Sequence, residues 1–144
     1  MHKIGAQEVL LHLKPLLLPV GHQRRPNEEI VLSKIVEFVH SVEDKTLLEI
    51  ITDTTNATEE EQNAIAKLTP GHILMFATGT PSAPVTGFNP KPSIKFVHDE
   101  TKFIPSAHTC GNVLYAYVNQ KTISGPFHHY MLTALMNGGV FSKL

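Results

Sequence analysis

The chain has 144 residues, with 12 lysines and arginines against 13 aspartates and glutamates and a formal net charge of -1. That balance leaves no broad basic surface for a phosphate backbone and argues against a nucleic-acid partner. Hydrophobic residues make up 42% and charged residues 17%, ordinary globular values that exclude a fibrous repeat or a disordered tail and predict one core in one domain.

The longest apolar run, VLLHLKPLLLPV at 9–20, is broken by His12, Lys14 and Pro15. It falls short of the ~20 residues that span a bilayer and lacks a small-residue cleavage site, so neither a membrane segment nor a signal peptide is expected. PVGHQRRPNEE at 19–29 carries two prolines, a glycine and a charge cluster and reads as a linker. Residues 1–24 are then a linker or the remnant of a preceding unit, or a short helix docked on the core, and the domain proper runs over 25–144. From Asn27, taken as a cap, Val31, Ile35, Phe38, Val39 and Val42 recur at helical spacing. Leu48, Ile50 and Ile51 suggest a short strand ended by the Thr and Asn residues after them. Thr58 and Glu61 then form a capping box that opens a helix to about Leu68.

Thr69 and Pro70 repeat the start signal, and GHILMFAT makes a third helix stopped by Gly79. Four prolines and a glycine make 80–92 a surface loop, after which SIKFVH at 93–98 alternates like a half-buried strand. NVLYAYV at 112–118 is a further strand, and Phe127, Met131, Ala134 and Leu135 lie on one face of a last helix that Gly138 ends. Helices first, then strands, then a helix predict a small α+β domain.

Cys110 is the single cysteine, so no internal disulfide can form, which fits a reducing cytoplasmic or nuclear compartment. A lone thiol is either a small apolar filler or a nucleophile. Its neighbours are small and polar: His108, Thr109, Gly111 and Asn112. They favour an open turn in which oriented backbone donors or a histidine cation promote the thiolate. In an extended segment His108 would share a face with Cys110 and line the site. A metal is not expected. Although His98, His108, Cys110, His128 and His129 lie near one another in sequence, their spacings are irregular, and adjacent residues on a helix point about 100° apart.

IPSAHTCGNVL at 104–114 resembles the catalytic-cysteine motif of HECT-type ubiquitin ligases, and ILMFATGTPSAPVTGF at 73–88 resembles the second signature of that family, in the same order. The resemblance covers about 25–144 and implies the smaller, C-terminal lobe of such a ligase, an α+β domain that needs no cofactor. It implies that Cys110 accepts ubiquitin from a conjugating enzyme as a thioester and passes it to a lysine of a protein substrate. His108, Thr109, Gly111 and Asn112 would then line the site, and Phe141, near the chain end, would serve the second transfer. The larger N-terminal lobe that recruits the conjugating enzyme is missing from this sequence. Gly111 stands where many members carry an aromatic residue, YAYVNQKTISG replaces the usual leucine, proline and tyrosine, and the stretch from 45 to 60 is long. These departures resemble the divergent relatives of the G2/M-phase-specific ubiquitin ligases. They also keep open a non-catalytic module that binds ubiquitin or a partner.

Overall fold

The computed structural model describes residues 4–142. In chain order they form α1 (Ala6–His12), β1 (Lys14–Leu16), α2 (Arg25–Asp44), α3 (Leu47–Thr52), α4 (Glu59–Lys67), α5 (Pro70–Thr78), β2 (Ser93–Val97), β3 (Ser106–His108), β4 (Val113–Tyr117), α6 (Gln120–Ser124) and α7 (Phe127–Asn137). Short 3-10 turns stand at Thr109–Gly111 and Val140–Ser142. The sheet order is β1-β2-β4-β3; β1, β2 and β4 run parallel, and β3 returns antiparallel on β4. The result is the α+β domain that the resemblance implies.

The core follows from two hydrophobic patterns. On α2, the expected stripe of Val31, Ile35, Phe38 and Val39 is fully buried. Every residue of α5 from Pro70 to Ala77 is buried, as a helix apolar on all sides must be. It packs against α1, α2 and α7 and against β3 and β4. Ile94, Leu114 and Ala116 turn one face of the sheet into this core, with Phe96 and Ala107 beside them.

Two sequence expectations change, and of the readings open for the N-terminal segment the structure has the docked helix. α2 begins at Arg25, before Asn27, because Pro26 presets the first turn and the Arg24 N–H is already taken by His22 Nδ1 at 3.1 Å. Leu47–Thr52 is helical, since Leu47 and Ile51, four residues apart, bury together on the core side. Residues 6–16 form a helix and a strand on this same core: Ala6, Val9 and Leu13 are buried, and β1 pairs with β2. A three-residue strand containing Pro15 gives too short a pattern to recognise in sequence. The expected starts of α4 and α5, the Gly79 stop and the last helix stand as read.

Pairs of histidine and carboxylate tie distant elements together. The 2% exposed Glu28 accepts from the Leu18 N–H and lies 2.7 Å from His98 Nε2, which joins α2 to the end of β2. Glu61 closes the capping box with the Thr58 N–H at 2.9 Å and reaches His129 Nε2 on α7 at 2.5 Å. The Thr58 N–H, aided by His129, holds the Glu61 carboxyl below its ordinary value despite partial burial. Its contribution to stability is therefore complete above the unfolded carboxylate range and is lost as pH falls through the lowered folded value. Glu61→Ala removes both partners and should cost about 1–2 kcal/mol in chemical denaturation at pH 7. The deficit relative to wild type should shrink when the same unfolding is measured near pH 3.

Candidate active site

The turn that carries Cys110 is the connection of a β-hairpin. His108 on β3 pairs with Val113 on β4, and the four residues between them form the 3-10 turn plus Asn112. The segment 106–108 is thus a short edge strand, not assigned from the sequence. Cys110 is exposed, as are His108 and Thr109, while Asn112 is buried.

Asn112 fixes this turn. Its backbone is left-handed, φ 56° and ψ 45°, a conformation that costs most side chains about 1–2 kcal/mol but that asparagine tolerates. Its N–H donates to the Thr109 carbonyl at 3.2 Å, its own carbonyl accepts from the Ser93 N–H at 3.0 Å, and its Nδ2 donates to the Pro90 carbonyl at 2.6 Å. The side-chain amide nitrogen is therefore tied to the proline-rich loop. His108 does not share an extended face with Cys110, because the chain leaves the strand conformation at Thr109. Its ring lies over the turn: a Cβ on Gly111 would sit 3.4 Å from His108 Cδ2.

The second sequence signature arrives at the same place. After α5, Gly79 adopts φ 85° and faces Thr109, where a Cβ on it would come within 3.9 Å of the Thr109 Cβ. The turn beyond is held by Thr78 Oγ1, which donates to the carbonyl of Thr80 at 2.9 Å. Beside Thr109 a shallow groove runs along the edge strand, lined by Phe76, Ile104, Ser106, Ala107, Asn137 and Gly138. Gly138 is needed there, since a Cβ on it would meet the Phe76 ring at 2.8 Å. The sequence marks Gly138 only as a helix stop and Phe76 only as part of the second signature, neither as lining the site. The one available signal was the apolar and aromatic character of the signature itself.

Phe141 is set apart from this group. Its ring packs on His72, with centroids 5.0 Å apart. His72 lies in the first turn of α5, and Gly79, which faces Thr109, follows its last turn, about 10 Å along the axis. The Thr69 N–H donates to His72 Nδ1 at 2.9 Å, so the proton of the neutral ring is on Nε2. Burial lowers the pKa of His72 and also that of His128, where Lys34 adds to the lowering and Glu37 opposes it. The adjacent His128 and His129 diverge as expected, toward Glu37 and Glu61. Among the described residues, no three His, Cys, Asp or Glu side chains gather to hold a metal. No helix among them is long and apolar enough to cross a membrane.

A family model for the HECT domain, described as a ubiquitin-transferase, matches residues 27–142. The match spans most of the sequence, and the chain belongs to the HECT-domain family of ubiquitin transferases. No curated protein matches the chain.

Two outcomes follow from this geometry. Asn112→Ala loses both the tolerated left-handed backbone and the Pro90 bond and should destabilise the domain by about 2 kcal/mol, whereas Asn112→Gly restores the backbone and should cost about half of that. Hydrogen exchange should show faster opening of 80–92 in both variants. The neutral rings of His72 and His128 contribute fully above the ordinary histidine pKa of about 6.5 and progressively less as pH falls toward their lowered values. Tm should therefore drop between pH 7.5 and 5, and His128→Gln should flatten that slope.

Proposed function

We propose that the chain carries ubiquitin as a thioester on Cys110 and passes it to a lysine of a protein substrate. The convergence of the two signature segments on an exposed, single thiol is the observation that supports this most. In the first step the Cys110 thiolate attacks the thioester carbonyl held by a conjugating enzyme, and that enzyme's thiolate leaves. In the second, a substrate amine attacks the new thioester, an isopeptide bond forms and the Cys110 thiolate departs. Both steps develop an oxyanion, for which the amides of the Thr109–Gly111 turn are the nearest donors. His108, Thr109, Gly111 and Asn112 shape that turn.

The groove beside the edge strand β3 suits an extended peptide leading to the sulfur, since an unpaired strand edge can add a strand. The conjugating enzyme would be recruited by an N-terminal lobe. A role for Phe141 in the second step requires the last turn to leave His72.

The chain, supplied with an N-terminal HECT lobe in trans, activating enzyme, conjugating enzyme and ubiquitin, should form an adduct that a reductant removes. Cys110→Ala should abolish it. A thiol-sensitive adduct that persists in Cys110→Ser would overturn the assignment. Unchanged ubiquitin binding by Cys110→Ala, with no adduct in wild type, would identify a binding module instead.

A further inference from the structure

At the end of α7 opposite Gly138, a hollow of about 320 Å³ opens between α2, α3 and the first turn of α7. Ile50, Ile51, Pro126 and Phe127 give it apolar walls, and Lys34 and His128 line it beside them. His128 is 8% exposed, and its Nε2 is buried without a hydrogen-bond partner among the described residues. Glu37 Oε1 lies 3.1 Å from that nitrogen but out of line for a hydrogen bond, and the Glu37 side chain is 65% exposed. A buried polar nitrogen left unpaired is costly, so a partner supplied from outside the chain is favoured there.

The backbone adds a second donor at the same place. α7 has no side-chain cap; the Phe127 N–H donates to the Gly125 carbonyl at 2.9 Å, and the His129 and Tyr130 N–H groups donate to the Pro126 carbonyl at 3.0 and 3.1 Å. That leaves the His128 N–H, which no carbonyl of the described residues accepts, at the positive end of an 11-residue helix. Lys34 gives ammonium protons to the carbonyls of Thr122 and Ile123 and keeps a third. The charged and titratable groups around the hollow are Lys34 and Glu37 on α2 and His128 and His129 on α7, with His129 bound to Glu61. Donors therefore outnumber acceptors. The Glu37 carboxylate marks the kind of group that His128 attracts, yet it is too exposed to be held firmly against it.

We propose that this hollow binds a carboxylate with a short apolar body, through His128 Nε2, the His128 N–H and the Lys34 ammonium, with Glu37 turning out to solvent to admit it. The apolar body lies against Ile50, Ile51, Pro126 and Phe127. A free branched-chain acid and the last residue of a polypeptide both present this chemistry. The site does not depend on the reading of Cys110: about 15 Å of helix separates His128 from Gly138, which lines the groove beside Thr109.

The test titrates the whole isotope-labelled chain with isovalerate and with acetyl-glycyl-glycyl-leucine, reading the amide and ring nitrogens of His128 by NMR. The C-terminal amide of the same peptide is the control. The carboxylates should give saturable shifts centred on His128, and the amide none. Binding of the peptide about tenfold or more tighter than isovalerate assigns the site to chain ends, and a smaller ratio assigns it to free acids. His128→Phe should weaken binding about tenfold, and Glu37→Ala, an exposed position that leaves the core intact, should tighten it about threefold by removing the competing carboxylate. Shifts that fail to saturate, that the amide reproduces, or that Glu37→Ala leaves unchanged in affinity overturn the inference, and His128 Nε2 then holds a water only.

Discussion

The geometry around the thiol depends on a single left-handed residue. Asn112 lets a three-residue turn and a strand meet at a sharp angle, and its side chain bridges to a proline-rich loop that has no regular structure of its own. Three hydrogen bonds leave this residue for three segments: the turn, the start of β2 and the loop. Most side chains would adopt the backbone only at a cost of about 1–2 kcal/mol, and glycine could not make the bridge. The shape of the turn is thus set by a residue two positions beyond the thiol.

α5 supplies the frame on which this turn is mounted. Because it is buried on every side, its position is determined by helices α1, α2 and α7 together with the sheet, and it has little freedom to move alone. One end presents Gly79 to Thr109, and the other holds His72 against Phe141. The thiol-bearing turn, through Thr109, and Phe141 therefore meet opposite ends of one rigid element. A role for Phe141 beside the thiol, as proposed, requires the terminal 3-10 turn to leave His72.

Features with a local cause were legible in the sequence. The capping box at Thr58 and Glu61, Pro70 at a helix start and Gly79 at its end act within four residues, and each appears where the sequence places it. What depended on distant partners was not. β1 and β3 have three residues each and exist because β2 and β4 lie beside them. Leu48, Ile50 and Ile51 fit either periodicity, and only the core that receives Leu47 and Ile51 decides for a helix. At the site, the run from His108 to Asn112 was readable as a group, but the inferred shared face of His108 and Cys110 assumed extended backbone, and the left-handed Asn112 ends that geometry. Asparagine before a strand hints at such a turn, yet the Pro90 partner, 22 residues away, leaves no trace in the local pattern.

The larger concavities of the domain lie away from the thiol. One groove is lined by Val42, Leu47, Leu48, Ile65 and Leu68 between α2, α3 and α4, and another lies between α2 and α7 around His128. An enzyme for a small substrate would put its nucleophile in such a hollow, where burial supplies most of the affinity. Cys110 instead stands on the exposed ridge of a hairpin turn, with a shallow groove beside the neighbouring Thr109. A ridge cannot enclose a small molecule, but it lets two macromolecules approach one sulfur in turn, with affinity drawn from surfaces of hundreds of square ångströms beyond it. Its exposure therefore suits the transfer between proteins proposed for it, in which each partner reaches the sulfur from solvent.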